Sequence, residues 1–176
     1  MGRLTPQKGH EDLIRAVAPL LEEDRRMHLL IVGEGPERNS LEGLADSCGV
    51  RGQVHLPGFQ ANIAGILKSC QVFVLPSRWE GMPNALLESQ AAGLLCIATD
   101  VEGVREVLEG ESGKLVTPGD QLSLREAVQE ARHQMLRTAS PETQSAVLKR
   151  HTWNTVAEKY SDLFTECLPA RAELQS

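Results

Sequence analysis

The sequence predicts an α/β fold, a doubly wound, Rossmann-like parallel sheet with a helical cap at its carboxyl end. Three observations carry this. Short apolar runs rich in leucine and β-branched residues alternate with segments whose apolar residues recur at three- and four-residue steps. Most of those runs are followed by Gly, Pro or Ser, as strands buried on both faces would be. After Asp120 the alternation stops and helical periodicity alone remains. Strand and helix in strict alternation imply right-handed crossovers, and these lay successive strands parallel.

In chain order, strands are expected at His28–Val32, Val54–Leu56, Val72–Leu75 and Leu95–Ala98, with a fifth at Lys114–Val116. Helices are expected at Glu11–Glu23, Pro36–Cys48, Ile63–Ser69 and Asn84–Ala92, with a helical turn around Val104–Leu108. The cap comprises Leu122–Thr138, Pro141–Arg150 and Trp153–Cys167. Gly2-Arg3-Leu4 reads as the carboxyl end of a strand entering a loop, although the strand itself is not in the chain. This predicts a partner domain upstream and an unpaired edge on the next strand.

With 176 residues, 41% hydrophobic and 24% charged, the chain is sized for one domain, set at 1–168 with a tail over 169–176. A core of that size needs no disulfide staples. Cys48, Cys70, Cys96 and Cys167 make no CxxC pair, and Cys70 and Cys96 adjoin apolar runs, so all four read as reduced structural thiols and no metal is expected. No apolar run approaches the roughly 20 residues of a membrane span, and the opening residues lack a signal-peptide pattern. A cytoplasmic location is expected. The 18 Lys and Arg against 24 Asp and Glu give a net charge of -6, the wrong sign for a domain that neutralises many phosphates, so no nucleic-acid partner is expected.

In such a sheet ligands bind at the carboxyl ends of the strands, so the residues after each strand are the informative ones. Gly2-Arg3-Leu4-Thr5-Pro6-Gln7-Lys8-Gly9 flanks a tight loop with two cations. A planar guanidinium and a point charge beside glycines suit a diphosphate, and on spacing alone they are equally a pair of solvated cations near Glu11. Gly33-Glu34-Gly35-Pro36 is part of a dinucleotide fingerprint whose third glycine position holds Arg38; a tight turn into a helix explains it as well.

After the strand at Val72–Leu75 comes Pro76-Ser77-Arg78-Trp79-Glu80-Gly81-Met82-Pro83-Asn84-Ala85-Leu86-Leu87-Glu88. Glu80 falls in the loop and Glu88 about one turn into the next helix, so both carboxylates can face one crevice. The Gly-x-Pro-Asn turn between them is expected to leave backbone N–H groups free for an anion. A carboxylate beyond that terminus can accept from vicinal hydroxyls, as acidic residues do with ribose. Taken singly, Glu88 is also a dipole-favoured first-turn residue and Glu80 a solvated loop carboxylate. Trp79 and Phe59 could stack on a base or sugar, or serve as core or rim residues in a chain only 3% aromatic. There is no HExxH pair, no GxSxG elbow and no GxxxxGK[ST] loop, which removes the main support for hydrolase and P-loop chemistry.

From Gly2 to about Phe164 the chain resembles the carboxyl-terminal, donor-binding half of a GT-B glycosyltransferase, close to glycosyltransferase family 4. The resemblance rests on Gly2-Arg3-Leu4 with Lys8-Gly9, Val32-Gly33-Glu34-Gly35-Pro36 and Val54-His55-Leu56-Pro57-Gly58. It continues in Pro76-Ser77 before Glu80 and Glu88, in Gln90-Ala91-Ala92-Gly93, and in Glu111-Ser112-Gly113-Lys114-Leu115-Val116-Thr117-Pro118-Gly119-Asp120. It implies transfer of a sugar from a nucleotide diphosphate donor, UDP- or GDP-linked, to a saccharide or lipid-linked acceptor, with retention of configuration and neither metal nor cofactor. Arg3 and Lys8 would hold the diphosphate, Glu88 the ribose hydroxyls and Glu80 the donor-sugar hydroxyls, making Arg3, Lys8 and Glu80 the catalytic set.

Gly2, Gly33, Gly58, Gly81, Met82, Pro83, Asn84 and Ala85 would complete the donor site, with Leu56 to Phe59 near the base. The acceptor-binding domain would lie upstream, and with it any contact with the inner face of a membrane. The chain alone would then bind nucleotide or donor weakly at best and would not turn over. Departures from the family pattern are Glu102-Gly103 where paired glycines are usual, Gln71 where many relatives carry Asp, and Leu95-Cys96 in place of Pro-Val. Two other readings share these residues: a noncatalytic nucleotide-sugar binding module, and a nucleotide-sugar epimerase of GT-B type.

Overall fold

The computed structural model describes residues 1–108 and 113–137. Its strands are β1 (Leu29–Val32), β2 (Val54–Gly58), β3 (Val72–Leu75), β4 (Leu95–Thr99) and β5 (Gly113–Val116). They alternate with helices α1 (His10–Glu23), α2 (Arg38–Ser47), α3 (Ile63–Ser69) and α4 (Asn84–Ala91), and α5 (Gln121–Arg137) follows β5. All lie close to the expected bounds, and the residues around Val104–Leu108 form turns. The cap helices expected at Pro141–Arg150 and Trp153–Cys167, and the tail, fall outside the described residues.

Every strand pair is parallel, but the hydrogen bonding forms two ladders, β1–β2 and β3–β4–β5, in place of one continuous sheet. Backbone hydrogen bonds show what lies between them. The N–H groups of Leu29 and Gly33 donate toward β2, to the carbonyls of Gln53 and Gly58. The carbonyls of Val32 and Glu34, on either side of Gly33, therefore face the opposite edge. There they accept from the N–H groups of Gly2 and Leu4 at 3.0 and 2.8 Å. The same amino-terminal segment reaches the end of β3, where the Gln7 carbonyl accepts from the N–H of Arg78 at 2.8 Å. Residues 2–9 thus form a strap across the ends of both ladders, covering the edge of β1 only at its carboxyl end.

Two glycines make the strap possible. Gly9 has φ +63°, and a Cβ there would stand 2.0 Å from the Pro76 carbonyl oxygen. At Gly33 a Cβ would stand 1.8 Å from the Gly2 carbonyl oxygen.

Both faces of the larger ladder are covered, as the unbroken apolar strands require. Along β4, Ile97 joins a core built with Leu13, Ile14, Val17 and Leu21 of α1 and Leu124 and Val128 of α5. Its neighbours Cys96 and Ala98 point the other way, into a second core with Leu67, Phe73 and Leu86. Leu86, fully buried, anchors α4 beside the strand ends; truncation to alanine there would cost about 2–5 kcal/mol.

Polar anchors fix the remaining joints. Gln53, buried before β2, donates through Nε2 to the carbonyls of Leu21, Asp24 and Met27, closing the turn from α1 into β1. Asp120 caps α5 by accepting from the N–H groups of Leu122 and Ser123. Arg125 donates to the Ala16 carbonyl at 2.9 Å, and Arg132 pairs with Asp24 at 2.7 Å, so α5 lies along α1. Cys48, Cys70 and Cys96 are free thiols, with burial pushing Cys96 up to about 12. No described helix is long and apolar enough to cross a membrane.

Candidate functional site

A cleft of about 570 Å³ opens where the strap meets the carboxyl ends of β1 and β3 and the start of α4, the position at which parallel α/β sheets hold ligands. Lys8 ends the short 3-10 turn Pro6–Lys8 of the strap, and Glu80 lies in the loop between β3 and α4. Lys8 Nζ donates to Glu80 Oε1 at 2.6 Å, and Ser77 Oγ donates to the same oxygen at 2.6 Å. The Glu80 side chain is 5% exposed and that of Lys8 20%, so this pair is largely shielded from water.

Arg3 and Glu88 also line the cleft. Both are exposed, and neither has an ion-pair partner among the described residues. Two cations and two carboxylates from the strap, the β3–α4 loop and α4 therefore converge on one cavity, as expected, with one cation–carboxylate pair formed and the other two charges open to a ligand.

Gly2, Gly33, Met82, Pro83, Asn84 and Ala85 line the cleft as well. Gly58 and Gly81 do not. Gly58 is buried at the end of β2, where its carbonyl accepts from Gly33 and the Glu34 carboxylate lies over its Cα. Gly81 is exposed, and its carbonyl oxygen lies against Gly103. At the start of α4 the N–H groups of Asn84, Leu86 and Leu87 bond to the carbonyls of Met82 and Pro83. Among the described residues the N–H groups of Gly81, Met82 and Ala85 have no hydrogen-bond partner, so the turn keeps free donors on either side of Pro83.

Further residues line the cleft to which the sequence assigns no role. Glu34 sits between the two glycines of the β1–α2 turn, held by Arg38 at 3.3 Å. Gln60 and Ile63 follow β2, and Gln60 Nε2 donates to the Pro57 carbonyl to hold that loop. The usable signal was position alone, since each follows a strand. Phe59 is a rim residue, 78% exposed and lining the cleft, whereas Trp79 is exposed outside it. Glu102 is exposed away from the cavity, and its neighbour Gly103 makes the backbone approach to Gly81.

His10, directly after Gly9, is buried with both ring nitrogens unpartnered among the described residues. Burial above all, then the positive amino terminus and Lys8, lowers its pKa to about 4, so the ring is neutral at pH 7. No cluster of three or more His, Cys, Asp or Glu placed to hold a metal ion occurs among the described residues.

Residues 1–134 match the glycosyl transferases group 1 family. The chain belongs to that family. This group 1 glycosyltransferase chain is 36% identical over 167 residues to the lipopolysaccharide core biosynthesis glycosyltransferase LpsD of Rhizobium meliloti, covering 93% of the chain and 48% of the relative. Over 114 residues it is 36% identical to the UDP-Gal:alpha-D-GlcNAc-diphosphoundecaprenol alpha-1,3-galactosyltransferase of Escherichia coli, covering 63% of the chain and 30% of the relative. Its fold superposes on Anabaena Alr3699/HepE, solved in complex with UDP, with TM-score 0.71 and 22% identity, covering 94% of this chain and 48% of that one. The chain thus spans about half the length of these relatives or less, and its GT-B-type α/β architecture is that of its structural neighbours.

Proposed function

We propose that this chain is the carboxyl-terminal, donor-binding half of a glycosyltransferase of family 4. In this reading it takes a UDP- or GDP-linked sugar and transfers it, with retention and without a metal, to a saccharide or lipid-linked acceptor held by an upstream half. The observation that carries the reading is the convergence of Arg3, Lys8, Glu80 and Glu88 on one cleft at the strand ends. The galactosyltransferase relative, whose donor is UDP-Gal, and the UDP complex of the structural neighbour support the donor class.

The chemistry follows from the charges. As the bond from sugar to phosphate breaks, negative charge grows on the diphosphate, and two fixed cations stabilise it, the task a divalent ion performs elsewhere. Arg3 offers a planar fork. Lys8 has three N–H donors, so one can remain on Glu80 while others turn to phosphate oxygens. Glu80 receives donor-sugar hydroxyls near the reacting carbon, and Glu88, exposed one turn into α4, receives the ribose hydroxyls. Cation contacts that strengthen as the diphosphate leaves lower the barrier more than contacts already complete in the ground state.

Saturation-transfer NMR with UDP-, GDP- and ADP-sugars tests this reading. Selective binding to one base, lost in Glu88→Ala and in the Arg3→Ala, Lys8→Ala double variant, is the expected result. A folded chain that binds none of them, even with the upstream half restored, overturns it.

A further inference from the structure

We propose that Ser77 is a positioning residue that fixes the Glu80 carboxylate for the donor sugar, an inference resting on the reading of Glu80 given above. Ser77 is fully buried at the end of β3, and its hydroxyl proton is committed to Glu80 Oε1. Its own carbonyl is held from β4 by Thr99 Oγ1, a donor that also reaches the Leu75 carbonyl. Thr99 is 2% exposed, so the relay Thr99–Ser77–Glu80 runs from the buried sheet to the cleft without passing through solvent.

The two donors to Glu80 differ in kind. Lys8 and Ser77 both use Oε1, which leaves Oε2 without a donor among the described residues and available to a sugar hydroxyl. Lys8, however, is the group that an incoming diphosphate also recruits. When the donor binds, its attraction is divided, and Ser77 is the anchor that does not change partner. A carboxylate held by Lys8 alone would swing with the ammonium; held by Ser77 it keeps Oε2 aimed at the sugar.

The test compares UDP with UDP-glucose, UDP-galactose and UDP-N-acetylglucosamine, and GDP with GDP-mannose, by calorimetric titration of the wild-type chain, Ser77→Ala, Ser77→Cys and Glu80→Ala. Unchanged affinity for the nucleoside diphosphate reports an intact site, while the tightest-binding sugar conjugate reports the sugar contact. Ser77→Ala is expected to weaken the conjugate about tenfold, or about 1.4 kcal/mol, and to leave the diphosphate within twofold. Ser77→Cys, near in size with a weaker donor, is expected to fall between, and it stands in if the alanine variant does not fold. Equal weakening of diphosphate and conjugate assigns Ser77 a merely structural role and overturns the proposal, as does an unchanged conjugate affinity in Ser77→Ala alongside a loss in Glu80→Ala. If Glu80→Ala itself spares the conjugate, the reading of Glu80 fails first and takes this inference with it.

Discussion

Lys8 and Glu80 stand seventy-two residues apart in sequence and meet at 2.6 Å, joining the strap to the β3–α4 loop. Their burial is unequal, and that sets what each contributes to stability. Replacing Lys8 by Met leaves a 95%-shielded carboxylate with Ser77 as its remaining donor, whereas Glu80→Gln leaves an ammonium that is one-fifth exposed and reaches water. Lys8→Met is therefore expected to cost about 2–3 kcal/mol in urea unfolding and Glu80→Gln under about 1 kcal/mol. Equal losses would remove the burial argument.

Two glycines are expected to respond with opposite signs. Gly9→Ala places a left-handed alanine against the Pro76 carbonyl and should destabilise by about 3 kcal/mol or more. Gly43, inside α2 with nothing within 4 Å of its absent Cβ, should gain about 0.5–1 kcal/mol as alanine. Thermal melting of the two variants checks both at once.

His10 ties stability to pH. Its folded pKa of about 4 lies below the unfolded value of 6.5, so the unfolded chain takes up the proton first. The neutral ring costs nothing extra above pH 6.5. Below it, folding stability falls by about 1.4 kcal/mol per pH unit, levelling near pH 4. His10→Leu removes a ring whose nitrogens are unpartnered, so it should flatten unfolding free energy across that window without loss at pH 7. A slope that persists in the variant would assign acid sensitivity to other groups.

Under the proposed function Arg3 and Lys8 supply the charge that a metal would otherwise bring. Donor affinity measured by calorimetry should then be indifferent to EDTA and change less than about twofold with added Mg²⁺. An affinity that collapses on chelation contradicts the metal-free reading.

The strands, the helices and most of the site were legible because each rests on local signals. Val72–Leu75 and Leu95–Thr99 are apolar on both faces, and the residues after a parallel strand must face the crevice. Other features were not legible because they depend on which backbone edge meets which. Gly2-Arg3-Leu4 is legible as the end of a strand beside β1, but which carbonyls Gly2 and Leu4 meet, those of Val32 and Glu34, has no signature in residue type. That Asn84, Leu86 and Leu87 spend their N–H groups on Met82 and Pro83 depends on the turn closing on itself. Gly58 and Gly81 occupy motif positions yet do not line the cleft, Gly58 being buried and Gly81 exposed outside it, since a motif fixes spacing and not the direction a peptide plane takes. Ser77 was visible only as part of a motif, and its value appears once the Glu80 carboxylate is seen above it.

The strap of residues 2–9 touches both ladders and also walls the cleft. A molecule lodged between Gly33 and Lys8 would therefore act as mortar in the joint between two blocks. Occupancy and cohesion then become one equilibrium, in which filling the cavity slows deuterium uptake at the Gly2, Leu4 and Arg78 amides together, although they belong to different courses of the wall.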